Sequence, residues 1–103
     1  MNLVMALVVA GTMMAPAKHA AAQEAGDLYK TKCQACHGAD GKGDTAAGKK
    51  LGAKDFHSPE VSKMTDAQLI GVTKMGKEKM PAYDKKLTDD QIKQLITYIR
   101  TLK

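Results

Sequence analysis

The chain lacks tryptophan altogether and has one phenylalanine and three tyrosines in 103 residues. Aromatic side chains are the largest units of a core, so the chain has little with which to fill one. Strand-forming residues are also sparse. Ala, Lys, Leu and Gln dominate instead, which argues for helices over sheets. Nowhere does an apolar run approach the ~20 residues that cross a bilayer, so no transmembrane helix is expected in the mature chain. A length of 103 residues leaves room for one domain at most. The formal net charge is +5, but the lysines are dispersed and no aromatic residues are interleaved with them. That excludes a nucleic-acid surface and leaves two readings, a solvated basic face or docking to acidic partners.

The first 22 residues read differently from the rest. Leu3 to Ala10 is an apolar run, and Ala20-x-Ala22 is the small-residue pattern accepted at a secretory cleavage site. A signal peptide over residues 1–22, cut before Gln23, would leave a domain of residues 23–103. Against this, Met1-Asn2 carries no Lys or Arg, whereas signal peptides begin with a basic segment.

Three helices are expected. Ala25 to Lys32 forms a lead-in with Leu28 and Tyr29 apolar. Thr65-Asp66-Ala67-Gln68 is a capping box that opens a second helix, which Gly76 stops. Thr88-Asp89-Asp90-Gln91 is another, followed by Ile92, Leu95, Ile96, Ile99 and Leu102 at helical spacing. Between the first two lies a loop with Gly38, Gly41, Gly43, Gly48 and Gly52, five of the nine glycines. A core of this size seldom supplies more than ~3–5 kcal/mol without a staple. Something other than side chains must fill the centre.

Cys33-Gln34-Ala35-Cys36-His37 identifies it. Residues three and four apart share one face of a helical turn. Two thiols so placed can add to two vinyl groups on one porphyrin edge, and the next residue aims its imidazole at the iron. C-x-x-C-H is the attachment signature of haem c. A thiol redox pair would need a βαβ context, and a zinc site a second ligand pair; neither is visible. A plain disulfide in an exported protein remains open.

For the second axial ligand, three methionines follow residue 22. Met64 and Met75 fall in or beside the second helix, where methionine is usually core filler. Met80 stands in Gly76-Lys77-Glu78-Lys79-Met80-Pro81-Ala82-Tyr83, where Pro81 stiffens the backbone. Met80 is the candidate ligand, since His/Met is a standard haem coordination.

Residues 26–103 resemble the class I c-type cytochromes of the small bacterial monohaem kind. The resemblance rests on Gly26, Tyr29, the run from Cys33 to Gly38, the loop from Gly76 to Tyr83, and Lys86-Leu87-Thr88-Asp89-Asp90-Gln91-Ile92 running on to Tyr98-Ile99-Arg100. It implies an all-α fold, three main helices and loops wrapped around one covalently bound haem. It also implies that the first and last helices cross, Gly26 and Tyr29 meeting Leu95 and Tyr98. The implied function is that of an exported, periplasmic, monomeric electron carrier acting between redox partner proteins, not an enzyme. The other possibility is a five-coordinate haem protein with peroxidase or gas-binding activity.

One departure concerns the proximal imidazole. Many members offer it a proline carbonyl a dozen or so residues on, but no proline lies between His37 and Pro59. A carbonyl of the Ala46–Lys50 region is the expected substitute. His57 reads as a surface loop residue, and Asp40-x-Lys42-x-Asp44 lacks the closing Glu of a calcium loop. Lys42, Lys77, Lys79, Lys85 and Lys86 flank the motifs expected at the haem edge, where they read equally as steering an acidic partner or as ordinary solvated lysines.

Overall fold

The computed structural model describes Gly11 and residues 17–103. Six helices order the described chain: α1 (Ala17–Lys32), α2 (Gln34–His37), α3 (Ala46–Leu51), α4 (Pro59–Ser62), α5 (Asp66–Met75) and α6 (Asp89–Ile99). The helix expected from Ala25 begins eight residues earlier, because Ala20, Ala21 and Ala22 are strong helix formers. The Ala20-x-Ala22 motif therefore sits within α1, while Leu3–Ala10 lies outside the described residues.

Both capping boxes form. Thr65 Oγ1 accepts from Gln68 N at 3.1 Å and Gln68 Oε1 from Thr65 N at 2.9 Å. Thr88 and Gln91 repeat the arrangement with the same two distances. These exchanges satisfy amides that the first helical turn leaves without partners. α3 and α4 were not anticipated, although both carry N-terminal signals. Thr45 caps Gly48 N at 2.9 Å, and Ser58 caps α4 with Pro59 in its first turn.

The core lies where α1 and α5 pack on α6. Tyr29, Val61, Leu69, Leu87, Ile92, Leu95, Ile96 and Ile99 form one buried cluster. α6 contributes four of them from one face at helical spacing, as its sequence pattern implies. The first and last helices meet as expected. A Cβ on Gly26 would stand 3.3 Å from Tyr98 Cε2, and the Tyr29 and Tyr98 rings lie 5.4 Å apart. Arg100, at the same C-terminal end of α6, ties it to the start of α5, donating to Asp66 Oδ1 and to the Met64 carbonyl, both at 2.7 Å. These three helices form a packed corner, and the rest of the described chain is short helices and loop.

Candidate functional site

α1 does not end cleanly at Lys32. Cys33 N still donates to Tyr29 O at 2.9 Å, and His37 N to Cys33 O at 3.0 Å, so one helical turn carries both thiols and the imidazole. Gly38, with φ 83°, then turns the chain away. α3 braces this turn from behind. Thr45 Oγ1 donates towards the Ala35 and Cys36 carbonyls at 2.8 and 3.0 Å, and Gly48 packs so closely that any Cβ would strike the Cys36 carbonyl.

The opposite wall is the segment after α5. Gly76, at φ 75°, lets the chain double back; a Cβ there would lie 2.7 Å from Met80 O. Lys77 and Met80 exchange backbone bonds of 3.2 and 2.9 Å, and Tyr83 N reaches Thr73 O at 3.0 Å. The Tyr83 hydroxyl donates to Lys32 O at 3.0 Å, joining this loop to the base of the cysteine turn. Burial raises the Tyr83 pKa, with Cys33 and Cys36 adding to the rise, so the hydroxyl keeps the proton that bond uses.

Between the walls are two adjoining cavities of about 140 and about 110 Å³. Cys33, His37, Val72 and Met80 line both, and Cys36 lines the outer one. The inner cavity ends on Tyr29, Val61, Leu69, Leu95 and Ile96, all members of the buried core cluster. An apolar slot with two thiols on one edge, an imidazole on one side and a thioether among its lining suits a planar macrocycle with a central metal. The donor set fits haem.

The proximal side differs from expectation. His37 Nδ1 lies 3.2 Å from the carbonyl of Lys54, not from any carbonyl of the Ala46–Lys50 region. Residues 46–51 are helical and the Gly48 carbonyl is taken by the Gly52 and Ala53 amides; the acceptor comes instead from the stretch of loop that follows. Because a carbonyl only accepts, Nδ1 holds the proton and Nε2 keeps its lone pair for a metal. Burial lowers the His37 pKa, partly offset by the Lys54 carbonyl, which favours the neutral, ligating form.

Thiol chemistry points the same way. Burial, with the charge of Cys36 second, pushes the Cys33 thiol up to about 11. A redox-active C-x-x-C thiol has its pKa lowered. Among the described residues no three His, Cys, Asp or Glu side chains gather as a metal-ion cluster.

Other expectations need correction. Met64 packs against the core and lines the inner cavity, but Met75 is no filler: it is 73% exposed. Lys77 and Lys79 line the outer cavity, joined there by Lys32 and Lys54, which the sequence did not single out. Lys42, Lys85 and Lys86 do not line it; Lys86 sits over the Tyr83 ring, 5.4 Å from its centroid. His57 is exposed, as expected, and donates from Nε2 to Asp40 O at 2.8 Å. Phe56, whose ring stacks on His37, was also missed. It is the chain's sole phenylalanine, a signal that composition held but spacing did not explain.

The sequence matches the family model described as cytochrome c oxidase, cbb3-type, subunit III, over residues 20–99. A cytochrome c6 of Gloeothece citriformis is 33% identical over 100 residues, covering 95% of this chain and 87% of that protein. The cbb3-type cytochrome c oxidase subunit CcoP of Azospirillum brasilense is 34% identical over 87 residues, covering 81% of this chain. The match takes in only 29% of that subunit's length. Among solved structures, the KustC0563 c-type cytochrome aligns with a TM-score of 0.68 at 35% identity, covering 74% of this chain and 93% of the other.

Proposed function

The chain belongs to the c-type cytochromes, of the small class I kind, and holds haem c covalently; from that premise we propose that it is an exported electron carrier with His37 and Met80 as axial ligands. Bound haem supplies a one-electron ferric/ferrous couple, and methionine ligation favours the ferrous side. The chain does the rest. Cys33 and Cys36 would hold the haem as thioethers, each S–H adding across one vinyl double bond. His37 gives its Nε2 lone pair while the Lys54 carbonyl holds the Nδ1 proton. Met80 offers sulfur from a loop that Tyr83 pins in place. The apolar walls of the inner cavity would keep water from a haem bound there and so keep reorganisation on electron transfer small.

The observation that carries this reading is the convergence of Cys33, Cys36, His37 and Met80 on one apolar cavity. Its lysine-bearing rim suits weak, fast docking to acidic redox partners, the protein acting as a monomer. An oxygen enzyme needs distal groups to manage peroxide, such as a His or Arg over the iron. Arg100, the lone arginine, is committed to Asp66 and Met64, and His57 to Asp40. Residues 1–22 serve as the export signal to the periplasm in this reading, leaving residues 23–103 as the working domain.

A second reading has its own support. The family model is that of an oxidase subunit, and this chain spans 29% of CcoP. The same domain could deliver electrons within a larger complex, with the same site chemistry. Spectra of both redox states, with acid-acetone extraction and intact mass, test the proposal. Haem that resists extraction, a low-spin spectrum with a sulfur–iron band, and the mass of residues 23–103 plus one haem are expected. Freely extracted haem would refute the attachment; retained residues 1–22 would refute only the signal.

A further inference from the structure

The stretch from Ala53 to His57 runs beneath the cysteine turn and touches it at several points. Lys54 O accepts a hydrogen bond from His37 Nδ1 at 3.2 Å. Two residues on, the Phe56 ring lies against the imidazole, with centroids 4.5 Å apart and planes 22° apart. The Phe56 amide donates to Gly41 O at 2.9 Å, and His57 Nε2 to Asp40 O at 2.8 Å. Asp55 Oδ1 accepts from His57 N at 2.8 Å, which fixes the turn following Phe56.

The glycines opposite are cut to fit this strap. A Cβ at Gly41 would stand 2.7 Å from Phe56 Cδ2. One at Gly43 would stand 2.7 Å from Ala53 O and 3.1 Å from Lys54 O. Both positions also have positive φ, 76° and 70°, so the glycine serves the turn and the close approach together. Behind Phe56 the Tyr29 ring stands 6.4 Å away, and the Tyr29 hydroxyl donates to Gly38 O at 2.5 Å. The phenyl ring is therefore held from behind and along its own backbone while its face meets His37.

The hydrogen bond to Lys54 O fixes the imidazole's tautomer and restrains its orientation from one edge. The Phe56 ring, stacked nearly parallel, restrains the plane from its face. Resting on the assignment of His37 as an iron ligand, we infer that Phe56 is a positioning residue that sets the plane of the proximal imidazole, acting with the Lys54 carbonyl as a two-point clamp. The plane decides which iron d orbital overlaps the imidazole π system, and so the distribution of unpaired spin over the porphyrin in the ferric state.

The test uses mature holoprotein. Phe56→Leu removes the aromatic face while keeping an apolar side chain, and Phe56→Tyr restores it. Ferric NMR of Phe56→Leu should show the four haem methyl shifts redistributed and the g anisotropy altered in electron paramagnetic resonance, with Phe56→Tyr returning both towards wild type. The sulfur–iron band and covalent attachment should survive in both. Unchanged methyl shifts in a folded Phe56→Leu would overturn the inference. Should that variant not fold, ferrous wild-type NMR decides: cross-relaxation between Phe56 and His37 ring protons supports the clamp, and its absence refutes it. Failure of the underlying ligand assignment shows separately, as a wild-type spectrum without histidine-ligated low-spin iron.

Discussion

The three methionines of the described chain have different surroundings, and those surroundings separate their roles. Met80 lines both cavities, Met64 lines the inner one, and Met75 points to solvent at 73% exposure. Met80→Ala should open the distal position to water, give a high-spin component and admit carbon monoxide rapidly, where the wild type binds it slowly. Loss of the soft sulfur should lower the midpoint potential; a fall of roughly 100 mV corresponds to ~2.3 kcal/mol in a one-electron couple. Met75→Leu should be silent in spectrum and stability. Met64→Leu, a swap of similar volume, should cost less than about 1.5 kcal/mol and leave the spectrum in place. A wild type that binds carbon monoxide fast and turns over peroxide would replace the carrier with an open-iron protein. The four candidate haem residues were legible because each is a side chain in a short pattern. Lys54 was not, since it acts through a backbone carbonyl, which has no side-chain signature.

Among the helices, legibility followed self-sufficiency. α5 and α6 announce themselves through reciprocal capping boxes, and α6 also through its apolar face. α3 and α4 are six and four residues long and exist because they brace neighbours, so their sequences carry only the caps at Thr45 and Ser58. The α1–α6 contact depends on a small residue at Gly26, where a Cβ would already press on Tyr98 at 3.3 Å. Gly26→Ala should be tolerated by a slight shift of the Tyr98 ring. Gly26→Val adds a Cβ bearing two methyl groups of restricted rotation and should cost ~1–3 kcal/mol by overpacking. Thermal melts of the holoprotein check this: equal midpoints for the Val variant and wild type would mean that the helices do not bear on each other there.

At the scale of the whole molecule, charge and core are unevenly placed. Lys32, Lys54, Lys77 and Lys79 surround the outer cavity, so Lys77→Glu with Lys79→Glu should slow electron transfer to an acidic partner and flatten its salt dependence. The rate with an uncharged small reductant should hardly change. The core shows the deeper asymmetry. Its buried apolar residues come from α1, α4, α5, α6 and Leu87, whereas α2 buries none of its own and the Met80 loop has no buried side chain. Those two walls face each other across the cavities, and the Tyr83–Lys32 bond joins the Met80 loop to the base of the cysteine turn. Haem is thus the missing middle of the core, as the shortage of aromatic side chains already implied. Chain produced without haem c maturation should therefore keep part of its helical signal at α5 and α6 but lose fixed near-ultraviolet dichroism. It should bind a hydrophobic dye and melt without a sharp transition, while the holoprotein melts cooperatively. A haem-free chain that melts as sharply and at the same temperature as the holoprotein would show that the helical corner folds alone and that the cavities are incidental to its stability.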